Sequence, residues 1–149
     1  MENFKPTKYK MVCVATNREF DDTGWILDDH ECKAPSLVRA NYENKRLGVK
    51  PENYGFYKYC DWLPIKRMLQ GSSTPVTYKS EGLAKHLGLE NLWITLSGYA
   101  PKRGVRMSTC SFKETEAYSV CARIDESEER VLVVASAGNT ARAFAKVCS

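Results

Sequence analysis

Two short stretches carry residue types that could do covalent or anion-binding chemistry. The first is Ser111-Phe112-Lys113-Glu114, where a lysine opens a run whose apolar positions, Ala117, Val120, Cys121 and Ile124, recur at helical spacing. A lysine in the first turn of a helix meets the positive end of the helix dipole, which works against its ammonium form. The free amine is what attacks a carbonyl to form an imine, so this placement suits chemistry on an aldehyde. Taken by itself, a solvated surface lysine is the ordinary alternative. The second stretch, Ser136-Ala137-Gly138-Asn139-Thr140, consists of small and polar residues between a β-branched run and a helical run. Backbone N–H groups at a helix start, with side chains small enough for close approach, suit a carboxylate or phosphate. Simple capping of that helix by Ser136 or Asn139 is the alternative.

The elements that must position these residues are legible from residue 80 onward. Ser80 to Leu87 reads as a helix with Leu83 and Leu87 on one face and Gly88 as its stop. Asn91 to Leu96 fits a buried strand, and the loop from Ser97 to Gly104 leads on to the lysine. Ser111 to Glu114 matches a capping box, with Ser111 as N-cap and Glu114 at the third helical position. After the acidic turn Asp125 to Glu129, the run Val131-Leu132-Val133-Val134 is of the kind that parallel sheets bury on both faces. It passes through the second stretch into a helix from Ala141 to Val147. Strand, small-residue turn and helix form the repeating unit of an open α/β sheet, whose ligands bind beyond the carboxyl ends of the strands. Lys113 and Asn139 both fall there and could face one cleft. Lys102, Arg103 and Arg106 are further anion candidates, with solvated surface charge as the alternative reading.

Residues 1–55 read as a small β-rich segment with short alternating stretches at Lys10 to Val14 and Ser36 to Arg39, and residues 56–149 as the start of the α/β domain. Between them the aromatic run Tyr54 to Tyr59, leading into Asp61-Trp62-Leu63-Pro64, is expected to be extended and packed across a neighbouring surface. The composition is that of an ordinary globular domain: 149 residues, 43% hydrophobic and 27% charged. A net charge of +4 comes from 22 basic and 18 acidic residues spread along the chain, without the basic block that tracks nucleic acid. No apolar stretch is long enough to cross a membrane and no secretory leader is seen, so a cytoplasmic protein is expected. The six cysteines are expected to be thiols, and a zinc site would have to draw on scattered ligands such as Cys13, His30 and Cys32.

Ser111-Phe112-Lys113 resembles the Ser-Phe-Lys motif of the tryptophan synthase-like, fold type II family of pyridoxal 5'-phosphate enzymes. Ser136-Ala137-Gly138-Asn139-Thr140 is similar to that family's Ser-x-Gly-Asn-Thr loop, and Ser73-Thr74-Pro75-Val76 to its Asn-Thr-Pro-Leu segment. Within the family the threonine synthase and cysteate synthase group is most alike over nearly the whole chain. Asp61 to Pro64, Pro75 to Glu81, Thr109 to Glu114 and Ala135 to Ala145 look like the cysteate synthases in particular. Threonine synthases read Asn-Pro-Thr-Gly-Ser-Phe-Lys-Asp-Arg where this chain has Met107 to Thr115, which ranks them second. Many relatives begin with a zinc-ribbon-like module of paired cysteines; here Thr16 and Pro35 stand where second cysteines would be, which implies a degenerate, metal-free ribbon.

The resemblance implies an open parallel sheet of fold type II, incomplete in these 149 residues, with exposed apolar faces and an open edge. It implies pyridoxal 5'-phosphate held on Lys113 as a Schiff base, with Lys113 also the α-proton base. Asn139 would contact the cofactor's ring hydroxyl, and Ser136, Gly138 and Thr140 the substrate carboxylate. The implied reaction is β-replacement, O-phosphoserine and sulfite giving cysteate and phosphate in coenzyme M biosynthesis, by a protein able to form homo-oligomers. The chain is read as the N-terminal part of the enzyme, inactive alone because the family's phosphate-cradling loop comes later. A reading of another class is a non-catalytic binding module or inactive partner, which would have no use for Lys113 beside Asn139.

Overall fold

The computed structural model describes residues 4–149. The N-terminal segment folds as three antiparallel strands, β1 Tyr9–Cys13, β2 Glu19–Phe20 and β3 Val38–Tyr42, in the order β2-β1-β3. The register sets Met11 opposite Phe20 on one side and Ala40 on the other. Met11, Val12 and Cys13 are buried, and since successive side chains point to opposite faces, the end of the central strand is covered on both. Within this segment, the guanidinium of Arg18 lies on the buried carboxylate of Asp29 and stacks 4.7 Å above the Phe20 ring. That pairing holds the Asp29 carboxyl down at about 2. No group of three or more metal-capable side chains converges among the described residues, Cys13, His30 and Cys32 included.

The aromatic run expected to be extended is instead a 3₁₀ helix, Gly55–Trp62, with a kink at Tyr59. Local geometry explains the difference. Gly55 takes a φ of +61°, and a Cβ there would stand 2.3 Å from the Ser73 carbonyl oxygen, so the chain turns sharply against the buried Ser72 and Ser73. The turn sends Phe56 and Tyr57 inward together, where they pack with Cys60, Ile65, Tyr118 and Ala122. The Tyr57 hydroxyl accepts the Leu69 N–H at 3.1 Å, and burial pushes its pKa up to about 12.

Three α-helices follow: α1 Glu81–Leu87, α2 Lys113–Arg123 and α3 Asn139–Cys148. The helix expected near residue 80 forms with Ser80 before it and a left-handed Gly88 after it. Trp93–Leu96, expected to be a buried strand of a parallel sheet, is a strand, β5, but it pairs antiparallel with β4, Val76–Lys79. It is only half covered, with Trp93 62% exposed. A second short hairpin joins β6 Tyr99–Ala100 to β7 Val105–Arg106. The run at Val131 to Val134 forms no ladder. Leu132 and Val134 turn inward onto the helix pair, while Val131 and Val133 are 85% and 83% exposed. Backbone groups pair only where a neighbouring strand offers partners, and none of the described strands lies beside this run. The molecule is therefore α/β, with small antiparallel sheets rather than a parallel one among the described residues. No helix of the described residues is long and apolar enough to cross a membrane.

Candidate functional site

Lys113 opens α2, as the spacing predicts, but the first turn is closed differently from a capping box. The Ser111 hydroxyl accepts the Lys113 N–H at 3.2 Å, and the Ser111 carbonyl accepts the Glu114 N–H at 3.0 Å. Glu114 does not reach back to the Ser111 N–H. Its fully buried carboxylate accepts the Thr109 N–H at 2.9 Å through Oε2 and receives Lys146 Nζ at 2.8 Å on Oε1. The stronger partner, a cation from another helix, takes the side chain that the local motif would have used. Burial lowers the pKa of Lys146, and the Glu114 carboxylate with the Tyr118 hydroxyl more than offsets it, leaving the net shift upward.

The Lys113 side chain lies about one-third exposed, its amine 2.5 Å from Glu116 Oε2 one turn along the helix and 5.2 Å from the Phe112 ring centre. Lys113 is not alone at the positive helix end, because the Glu116 carboxylate stands beside it as a counter-ion. Phe112 itself is 65% exposed. Behind the turn, the Thr115 and Ser73 hydroxyls bond at 2.8 Å, and the buried Thr109 Oγ1 has no hydrogen-bond partner. Ser73 thus reaches this region from the segment singled out in the sequence.

The second stretch opens α3. Gly138 stands at the N-cap without a side-chain cap hydrogen bond, so neither Ser136 nor Asn139 caps the helix by its side chain. Ser136 Oγ accepts the Gly138 N–H at 3.3 Å, which folds the turn tightly. Ser136, Gly138 and Asn139 are exposed and Thr140 is half-buried. A Cβ built on Gly138 would meet nothing within 4 Å, so the space in front of this turn is open. The first N–H groups of a helix have no partner within it and are available to an acceptor there.

Side chains link α2 and α3. Lys146 reaches Glu114 and, at 3.3 Å, the Tyr118 hydroxyl; further along both helices, Cys121 Sγ lies 3.7 Å from Cys148 Sγ. Lys146, in the last turn of α3, thus meets the first turn of α2, while Cys148 at the end of α3 meets the last turn of α2. Ala117, Cys121, Ala143 and Phe144 form the seam between the helices. Small residues on both helices permit this close approach.

The loop cations go elsewhere. Arg103 lines a cavity of about 190 Å³ with Val76, Tyr78, Leu96 and Val105, which neither Lys113 nor Asn139 borders. Lys102 and Arg106 are exposed. Sequence reasoning missed the ion pair that joins Glu114, in the first turn of α2, to Lys146, in the last turn of α3. Lys146 carries no local signal for it, because the pairing spans 32 positions.

No family model matches the chain, and no solved structure matches it. Curated proteins do. The chain is 41% identical over 95% of its length to a cysteate synthase of Methanospirillum hungatei, covering 33% of that protein. To a cysteate synthase of Methanoculleus marisnigri it is 45% identical over 94% of its length, covering 32% of the relative. To one of Methanocella paludicola it is 48% identical over 77% of its length, covering 26% of the relative. The matched part is the N-terminal third of these proteins, so the chain spans about a third of the length of the relatives it matches.

Proposed function

We propose, from a chain that corresponds to the N-terminal third of cysteate synthases, that the whole protein is a pyridoxal phosphate-dependent enzyme joining sulfite to the β-carbon of O-phosphoserine. The likeness over 95% of the chain carries this reading. The residues present fit the cofactor. Lys113, with its side chain partly exposed, and the uncapped turn at Asn139 begin two helices that pack on one another, and a Cβ at Gly138 would meet nothing within 4 Å. The finer assignments belong to the same proposal: a fold type II catalytic domain from residue 56, preceded by a small β-rich segment.

When bound, the cofactor withdraws electrons from the substrate α-carbon. Lys113 would hold it covalently through Nζ and, once released from it, take the α-proton with the same amine and later return it. To do so, Nζ leaves Glu116, which a rotation of the flexible lysine stem permits. Asn139 would contact the ring hydroxyl. The N–H groups of Gly138 and its neighbours, with the Ser136 and Thr140 hydroxyls, would receive the substrate carboxylate at the positive end of α3. Across the cycle the β-carbon loses its bond to the phosphate oxygen and gains one to the sulfite sulfur, with phosphate as the leaving group.

The test is to mix the chain with pyridoxal phosphate, reduce with borohydride and map the modified peptides by mass spectrometry. Labelling concentrated at Lys113 is expected, and Lys113→Ala should remove it. Labels scattered over surface lysines, with the same total in Lys113→Ala, would sink the assignment.

A further inference from the structure

Cys121 and Cys148 are the pair that the site chemistry leaves unused. Cys121 is on α2, 8% exposed and part of the seam with Ala117, Ala143 and Phe144. Cys148 ends α3 and is exposed. Their sulfurs are 3.7 Å apart, already in contact, and the two thiols stand on helices whose packing fixes the approach. A disulfide needs sulfurs at about 2 Å and Cα atoms no more than about 7 Å apart. The exposed Cys148 side chain, at the end of α3, is the freer of the two to move toward that distance. The other four cysteines have no sulfur neighbour among the described residues: Cys13 contacts the Ser36 hydroxyl, Cys60 contacts Asn53, and no cysteine partner accompanies Cys32 or Cys110.

We propose that Cys148 and Cys121 form a thiol-oxidation site, at which a small disulfide such as oxidised glutathione converts the pair to a reversible bridge between α3 and α2. The exposed sulfur acts first. The Cys148 thiolate attacks one sulfur of the small disulfide, forming a mixed disulfide and releasing one equivalent of the small thiol. Cys121 then gives up its proton, attacks the Cys148 sulfur and displaces the second equivalent. Two protein thiols are oxidised by two electrons, and one small disulfide is reduced to two thiols. Burial, and then the neighbouring Cys148, push the Cys121 thiol up to about 12, so Cys121 is a poor first nucleophile and acts only once Cys148 has brought the leaving group beside it. The bridge would pin the last turn of α3 to the last turn of α2 and so fix how the two helices sit on one another.

The chain is exposed under native conditions to oxidised glutathione, its remaining thiols are alkylated, and intact mass and peptide maps are recorded before and after reduction. Loss of two alkylatable thiols and one reducible Cys121–Cys148 peptide pair are expected. Cys148→Ser should abolish the bridge. Cys121→Ser should stop the reaction at a stable glutathione adduct on Cys148, with unchanged circular dichroism showing that the fold is intact. All six thiols still alkylatable, a bridge through another cysteine, or a lasting adduct on Cys148 in the unaltered chain would each overturn the proposal. None of these outcomes depends on cofactor binding, so this test and the lysine-labelling test fail separately.

Discussion

Helix α2 is held on two sides by different means. At its C-terminal end, the N-terminal sheet is fastened by charge: Arg123 donates two hydrogen bonds of 2.6 Å to the Asp22 carboxylate, which also receives the Tyr9 hydroxyl at 2.5 Å. Trp25 Nε1 donates to Glu128 at 2.6 Å, and Arg130 stacks 4.6 Å from the Trp25 ring. Along its other side, α3 is fastened by volume, through Ala117, Cys121, Ala143 and Phe144, with one ion pair, Lys146–Glu114, inserted at the start of α2. The charged junction is specified by direction and tolerates modest changes in spacing. The packed junction leaves no room, and its single buried carboxylate has every oxygen engaged.

Breaking the packed side should have the larger effect. Glu114→Ala leaves the Lys146 amine without its carboxylate and the buried Thr109 N–H without an acceptor. A loss of about 3 kcal/mol in unfolding free energy is expected by denaturant titration. A loss under half of that would mean that the ion pair contributes little beyond the apolar seam.

Acid should separate the two regions next. The carboxyl of Asp29 goes from an ordinary value of 3.8 to about 2 beside Arg18. A depressed folded pKa adds stability that is fully present above the unfolded value and is lost as pH falls through the folded one. The N-terminal sheet should therefore weaken between about pH 4 and about pH 2. Asp29→Asn should flatten that part of the stability profile, and an unchanged acid slope would show that Arg18–Asp29 does not hold the sheet.

The smallest effect is expected outside both junctions. Val133 is 83% exposed, and Val133→Thr should shift unfolding by less than about 0.5 kcal/mol. A larger shift would mean that its face is covered in solution.

What could be read from sequence follows a physical division. The stretch Ser36 to Arg39 meets β3 only at Val38 and Arg39, whereas the helices at α1, α2 and α3 and the strand at Lys10 to Val14 were legible because each is specified by residues within a few positions of one another. The Gly88 stop and the Gly138 turn are of that kind. The pairing of β5 was not, since antiparallel contact with Val76–Lys79 depends on a hairpin across α1 that no local pattern encodes. The 3₁₀ helix at Gly55 was missed for the same reason: its entry is dictated by Ser73, far along the chain. At the candidate site the identities of Lys113 and Asn139 stood out in the motifs, while the groups that tie their helices together did not. Glu114 looked like a local cap, and only the approach of Lys146 gives it a longer-range partner.

Gly55 lies far from Lys113 in the chain, yet a relay connects them. Its missing side chain admits the Ser73 carbonyl, and the Ser73 hydroxyl bonds Thr115, two positions beyond Lys113. In a saturation-mutagenesis screen, position 55 would sort with the neighbours of Lys113 rather than with the loop in which it stands. Second-site suppressors of a Gly55 replacement would be found at Ser72, Ser73 and Thr115.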